Sequence, residues 1–309
     1  MLKYIIKRLL CLIPVILGIT FFIYLVMALS PGDPVELILG PEATQEQRAA
    51  KTAELGLDKP LLSRYFDYLK DVCQGNFGRS WVRNFDILDE FLARFPSTFI
   101  IALLGTAVTV IVGVPMGVIS AIRQNRPSDN VISIVALILS AIPGFWLALL
   151  AQVYFALQLG WFPSIGLETP KHYVLPVLTL SASTIAAQVR MTRSSVLDVI
   201  GQDFVRTARA KGAKEGQVIV RHVLTNAFLP IITETGNSFA GLLGGAVMLE
   251  QLYSITGIGN MMLNGVTTRD IPVVMGILIF VAFLVGIVNL LVDLLYSFFD
   301  PRVKSVFSK

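Results

Sequence analysis

Long apolar runs separated by shorter polar stretches dominate the chain. Six stand out: Leu9 to Leu29, Ser97 to Ile122, Val131 to Leu159, Val174 to Val189, Ala227 to Leu249 and Pro272 to Phe299. A membrane-spanning helix needs about 20 apolar residues. The pattern therefore predicts an all-α integral membrane protein with six transmembrane helices. The fourth run is short and rich in Ser and Thr, so it is expected among other helices rather than against lipid. Pro143-Gly144 predicts a kink in the third, which either faces a cavity or serves packing alone. In the fifth, Gly236, Ala240, Gly241, Gly244, Gly245 and Ala246 permit close helix contact.

Two polar stretches break this rhythm. Residues 31 to 96 hold more acidic than basic residues and read as a helical extracytoplasmic segment. Thr44 is placed to cap a helix running through Ala53, and Pro60 opens another with a stripe of Leu62, Tyr65, Phe66, Leu69, Val72 and Cys73. Gly75-Asn76-Phe77-Gly78 predicts a turn. The segment reads equally as a cap on the outer membrane face and as a docking surface or lid. Residues 201 to 230 form a basic island, expected to be two short helices joined at Lys211-Gly212-Ala213-Lys214, with Gly212 as a left-handed cap. Phe204, Val205 and Ala208 make the first apolar stripe; Ile219, Val220, Val223 and Leu224 make the second. Helices this short need a cover, either the ends of the chain's own membrane helices or a separate cytoplasmic protein. Gln251 to Ile271 is too polar for a span and is expected to dip back toward the membrane.

Charge supports this topology. Lys3, Lys7 and Arg8 precede the first run, Arg123 and Arg126 follow the second, seven Lys and Arg lie between Arg190 and Arg221, and three lie in the tail after Asp300-Pro301. Lys171 and Arg269 are the basic residues of the short outer loops. The positive-inside rule then places both termini in the cytoplasm, the long exported segment being exempt. The first run has the length of an uncleaved span rather than a signal peptide. This organisation divides the chain into 1-30 (amino terminus and first span), 31-96 (the extracytoplasmic segment) and 97-309 (a five-helix core with a cytoplasmic loop at 190-226).

Roughly half the residues are apolar (54%) and only 15% are charged, which marks a membrane class; the net charge of +4 gives no reason to invoke nucleic acid. Two cysteines, Cys11 and Cys73, exclude a disulfide framework, and His172 and His222 are too scattered for a histidine metal site. No metal site, cofactor or catalytic set is therefore expected. No Walker GxxxxGK[ST], HExxH or GxSxG occurs, and Gly257-Ile258-Gly259 lacks the further glycine of a dinucleotide fingerprint. The acids within apolar runs are Glu234, Glu250 and Asp293. Such groups face a cavity or a partner. Glu234, between Thr233 and Thr235, is the candidate pathway residue, with Asn237 on a neighbouring face one turn on; an arginine partner is the competing reading for Glu234.

Arg206-Thr207-Ala208-Arg209-Ala210-Lys211-Gly212, followed by Asn226-Ala227-Phe228-Leu229-Pro230, resembles the EAA loop of ABC importer permeases in the form found in the dipeptide and oligopeptide permease family. The resemblance runs almost end to end, through Pro31-Gly32-Asp33-Pro34, Leu55-Gly56-Leu57-Asp58-Lys59-Pro60-Leu61, Gly75-Asn76-Phe77-Gly78-Arg79-Ser80, Arg190-Met191-Thr192-Arg193-Ser194-Ser195, Gly257-Ile258-Gly259, Arg269-Asp270-Ile271-Pro272-Val273-Val274 and Asn289-Leu290-Leu291-Val292-Asp293-Leu294-Leu295-Tyr296. Arg206 stands where that loop has its naming acidic residue.

The resemblance implies the first permease subunit of an ATP-driven importer for short peptides in a prokaryotic inner membrane. Expected partners are a second homologous permease, two cytoplasmic ABC ATPases that hydrolyse the ATP, an extracytoplasmic solute-binding protein, the peptide substrate and membrane lipid. The loop from Arg206 to Gly212 is then the ATPase-coupling element. Gly257, Gly259 and Arg79 are candidates for an outer gate or carrier dock. Nickel-chelate or glutathione importers are the nearest alternative. An ion-coupled secondary transporter using Glu234, Glu250 or Asp293 is a second, and an intramembrane enzyme has no recognisable catalytic spacing to support it.

Overall fold

In this computed structural model, which describes residues 2–299, the apolar runs become helices because a backbone removed from water must satisfy its own hydrogen bonds. In chain order they are α1 (Leu2–Leu29), α2 (Pro34–Leu39), α3 (Gln45–Glu54), α4 (Leu61–Cys73), α5 (Ile87–Val108), α6 (Val114–Ile122), α7 (Pro127–Ala141), α8 (Gly144–Ala151), α9 (Val174–Ile200), α10 (Asp203–Ala210), α11 (Glu215–Gln217), α12 (Thr225–Gly245), α13 (Val247–Leu252), α14 (Ile258–Thr267) and α15 (Ile271–Phe299). Wide π-helical turns at Thr109–Gly113 and Val218–Leu224 join α5 to α6 and α11 to α12 without a break. Among the described residues the sole β-type pairing is an isolated bridge between Arg79 and Asp86.

Four helical stretches are long and apolar enough to cross a membrane: Tyr4–Leu29, Ile87–Ile122, Pro170–Ile200 and Ile271–Leu295. The pair α7 and α8, bent by 96° at Ile142-Pro143, counts as a fifth if taken as one span. The bend falls where Pro143 was expected to kink the chain: Ile142, preceding a proline, is pushed to extended backbone (ψ 125°). The run at 227–249 folds as α12 and the start of α13 and is less apolar than these stretches, because Glu234, Asn237 and several Ser and Thr residues dilute it. The basic tail from Asp300 onward lies outside the described residues.

The chain divides into two compact units. The first comprises the residues up to Thr98 together with Thr256–Ile287. Its α3 opens on the expected cap, a reciprocal pair in which the Thr44 hydroxyl accepts from Gln47 N and the Gln47 side chain accepts from Thr44 N. From α4, Tyr65 lies against Phe21 and Tyr24, and its hydroxyl donates to Leu17 O and meets the Thr20 hydroxyl, both at 3.0 Å. Leu17 is twelve positions before the end of α1, roughly 18 Å back along it. The helix α4 thus packs along α1 rather than merely capping it.

Three sequence blocks of the first unit meet around Arg269 and Asp270. The Arg269 guanidinium donates to the carbonyls of Ser30, Pro31 and Gly32, the three residues that follow the end of α1. Gly32 (φ +116°) lets that guanidinium approach, since a Cβ there would sit 2.9 Å from Arg269 Cζ. Asp270, 3% exposed, accepts from the Ser80 hydroxyl at 2.5 Å and from the backbone N–H of Trp81 and Val82.

The second unit comprises Phe99–Ile255 and the chain from Val288. Its centre is α9, buried along most of its length, as the Ser and Thr content of the fourth run predicted. The glycines at 113 and 117 bring the α5–α6 helix against α9: a Cβ on Gly113 would lie 2.8 Å from Gln188 Cβ, and one on Gly117 2.8 Å from the Val189 carbonyl oxygen. This is a small-xxx-small seam, close packing that replaces the hydrophobic drive absent in lipid. Tyr253 closes the opposite end of the unit. Its hydroxyl donates to Ala148 O at 3.1 Å, and burial pushes that phenol up to about 12.

Candidate functional site

The basic island folds around a sharp junction. Gly212 (φ +80°) donates to Arg209 O at 2.9 Å and Ala213 to Ala208 O at 3.3 Å, the two crossed bonds of a Schellman cap closing α10. Across that junction Arg209 forms a two-pronged ion pair with Glu215, Nη2 to Oε1 at 2.7 Å and Nε to Oε2 at 3.1 Å. Each partner shifts the other: the Glu215 carboxylate raises the Arg209 guanidinium, and Arg209 lowers Glu215, chiefly through their hydrogen bonds. Both are exposed, so the pair positions the junction more than it stabilises it.

The second helix is not short. From Glu215 it runs through the π turn and past Pro230 to Gly245, so the island's second half is the head of α12 itself. The apolar stripes are covered by the chain's own helices: Val205, Ala208, Val218, Ile219 and Val223 pack with Ala121 of α6 and Val196 of α9. Phe204 (43% exposed) and Val220 (65%) are left uncovered. Around them Arg206, Thr207, Arg209, Ala210, Lys211, Gly212, Lys214 and Arg221 are exposed, whereas Ala208 is buried. The outward surface is thus two apolar knobs in a field of cations.

A buried ion pair holds the platform beneath this surface. Asp129, 2% exposed in the first turn of α7, accepts from Arg193 of α9 through both oxygens (2.8 and 2.9 Å). The Ser120 hydroxyl of α6 at 2.5 Å, Asn125 N at 2.9 Å and the Ser133 hydroxyl at 3.4 Å also donate to it. One carboxylate therefore ties three helices. A second polar knot joins α9 to α12: the buried Gln188 amide donates to Ile231 O at 3.3 Å, and its Oε1 lies 3.3 Å from the Thr235 hydroxyl, which shares its proton with Ile231 O.

On α12, Pro230, Asn237, Gly241 and Gly244 are exposed and Glu234 is half-buried, and Met248 of α13 is exposed in continuation of the same spacing. Their spacing of four, three, four, three and four places them on one face. Thr233 and Thr235 turn their hydroxyls onto the helix backbone, at Leu229 O and Ile231 O. Among the described residues Glu234 makes no ion pair with an arginine. Glu250 is buried and Asp293 half-buried.

Gly257 and Gly259 are buried at the start of α14, where Ile258 N donates to the Thr98 hydroxyl at 3.0 Å. Arg79 is exposed, and its guanidinium donates to Asn84 O and Oδ1. Its partner is its own turn, not α14. The residues beside α14 that line a small depression are instead Ser80, Arg83, Phe85, Arg94 and Asp270.

The family described as "Binding-protein-dependent transport system inner membrane component" matches residues 113–305, and its N-terminal counterpart matches residues 1–102. The glutathione transport system permease protein GsiC of Escherichia coli (strain K12) is 37% identical over 304 residues, covering 98% of this chain and 99% of the relative. The oligopeptide transport system permease protein AppB of Bacillus subtilis (strain 168) is 38% identical over 315 residues, covering 98% and 100%. Among solved structures, the inward-facing MetNI methionine ABC transporter superposes with a TM-score of 0.57 at 17% identity, over 69% of this chain and 97% of its own. That likeness is one of fold.

Proposed function

Because this chain belongs to the family of binding-protein-dependent transport system inner membrane components and is a multi-pass ABC importer permease, we propose that its solute is a di- or oligopeptide, with glutathione as the alternative. Relatives named for oligopeptide and for glutathione transport match it equally well, which supports both solutes. In this reading six helices cross the membrane with both termini in the cytoplasm, α12 serving as a span whose polar face is shielded from lipid. Residues 31–96 are extracytoplasmic, and the loop at 190–226 is cytoplasmic. A second permease completes the pathway, two ATPases supply the work, and a solute-binding protein delivers the cargo.

The observation that carries the coupling role is the outward surface of the 201–230 element. Phe204 and Val220 stand uncovered among Arg206, Arg209, Lys211 and Arg221, while every other apolar residue of the stripes is at least partly covered. Two apolar knobs in a cationic field suit an acid-rimmed groove on a separate protein. Because the second half of the element is the head of α12, a push on Val220 reaches Glu234 and Asn237 along one continuous helix. The Asp129–Arg193 tie makes α6, α7 and α9 the frame against which that push acts. The exposed polar and glycine face of α12 is the pathway surface in this reading, with Glu234 available to a cationic group of the solute.

Purification of the tagged chain from its native membrane in mild detergent tests the assembly. Two ATPases and a second permease are expected to co-purify, and Val220→Cys is expected to form a disulfide with a cysteine in the ATPase groove. A chain that purifies alone and moves solute in ATP-free vesicles along an ion gradient refutes the reading.

A further inference from the structure

The exported half of the first unit contains a site that the transport function does not use. Two depressions of about 320 and 340 Å³ flank the junction of α3 and α4 and share Arg64 and Ile271 in their walls. Both lie within the first unit, and each is at the small end of the range for small-molecule pockets. The Leu55-to-Leu61 block forms much of the rim, where Gly56 (φ +65°) turns the chain and Lys59 stands at the mouth.

Arg64 stands between the two spaces without a partner. Among the described residues its guanidinium makes no ion pair or hydrogen bond, and its Nε is buried with no acceptor. The acids lining the two spaces are engaged or out of reach: Asp67 pairs with Lys59 at 3.0 Å and Glu54 with Lys51 at 2.7 Å, Asp33 accepts from Val35 N at 2.8 Å, and neither Asp33 nor Asp71 makes an ion pair with Arg64. Tyr68, one helical turn further along α4, lines the same depression, and its hydroxyl is also buried with no acceptor. Burial pushes that phenol up, so it keeps its proton at neutral pH. Tyr24, Leu55 and Trp81 supply apolar wall around these donors. Arg269, the other arginine of the lining, is already occupied by the carbonyls at the end of α1.

We propose that Arg64, with Tyr68 and Trp81 in the lining of the same depression, forms a binding site for the carboxylate of a small organic acid carrying an apolar or aromatic body. A guanidinium with no internal counter-charge and a protonated phenol are donors without acceptors, and a carboxylate supplies acceptors to both. The aromatic wall takes the body. The site lies outside the α12 face assigned to transport, so it stands or falls independently of that reading.

The chain has three tryptophans, so replacing Trp146 and Trp161 by Phe leaves Trp81 as the only indole reporter. The full chain in lipid nanodiscs is titrated with phenylacetate, with phenylacetamide (same shape, no charge) and with acetate (same charge, no ring). Saturable change in Trp81 fluorescence is expected with phenylacetate, with both analogues at least about tenfold weaker. Arg64→Gln is expected to weaken phenylacetate about tenfold, and Arg64→Lys less. No saturation with phenylacetate, or equal binding of phenylacetamide, overturns the site. Should Arg64→Gln fail to fold, the comparison of the three probes on the unsubstituted site decides alone.

Discussion

Replacing Gly212 isolates the junction of the proposed coupling element, because the perturbation there is confined to the backbone. Its φ of +80° is left-handed, and a Cβ built on it meets nothing within 4 Å, so a side chain costs conformation and no packing. For most L-residues that conformation costs about 1–2 kcal/mol. Alanine recovers part of this, about 0.4–1 kcal/mol, by restricting the unfolded chain. Gly212→Ala should therefore loosen the junction by about 1 kcal/mol. Asparagine tolerates the region better, so Gly212→Asn should cost less. Proline cannot take this φ and removes the N–H donated to Arg209 O, so Gly212→Pro should open the cap by about 3 kcal/mol. The assay is hydrogen exchange at the amide of Ala213, the other capping donor. Acceleration of roughly fivefold is expected for Ala, less for Asn and more than a hundredfold for Pro, with solute moved per ATP falling in the same order. Ala exchanging as slowly as Gly, or Asn as fast as Pro, would show that φ at this residue does not hold the junction.

Gly117→Val should destabilise the second unit by about 1–3 kcal/mol, read as a lower melting temperature in detergent, because its Cβ would collide with Val189 O and Thr192; an unchanged melting temperature would sink the seam. Asp129→Asn should cost about 3 kcal/mol, at the low end for a buried pair because Arg193 is 29% exposed. If Arg193→Met in the same chain restores none of that loss, the pair is not what ties α7 to α9. Glu215, lowered by Arg209, contributes stability that is present above the ordinary carboxylate pKa and lost as pH falls through its lowered value. Glu215→Gln should accordingly cost under about 1 kcal/mol at pH 7, with the difference from the parent shrinking as pH falls through the lowered value, by exchange at the junction; a difference growing toward low pH would contradict the sign. Glu234→Gln should lower uptake of solutes with a free amine more than of amine-blocked ones, and equal uptake of both would remove Glu234 from the pathway.

Much of the architecture was legible along the chain because its determinants are local. Periodicity and run length exposed the long helices, Thr44 and Gln47 wrote their own cap, and Pro143 dictated extended backbone at Ile142. Gly212 announced a left-handed turn because few other residues adopt one without cost. The seam of Gly113 and Gly117 is marked only as two small residues four apart in an apolar run, a weaker signal than the glycine content of the fifth run.

Tertiary structure decided what each face meets. An apolar stripe reports that something must cover it and carries no information on what; only the fold shows that Ala121 and Val196 cover Val205, Ala208, Val218 and Val223 while leaving Phe204 and Val220 bare. Asp129 in a first turn looks like any acid favoured by a helix N-terminus, and its bond to Arg193 joins positions 64 residues apart. Arg269 counts along the chain as one outer-loop charge, yet its partners are backbone carbonyls, which every residue carries and no sequence pattern marks. Local chemistry determined the helices, and long-range complementarity, which residue order does not encode pairwise, determined the surface left for a partner.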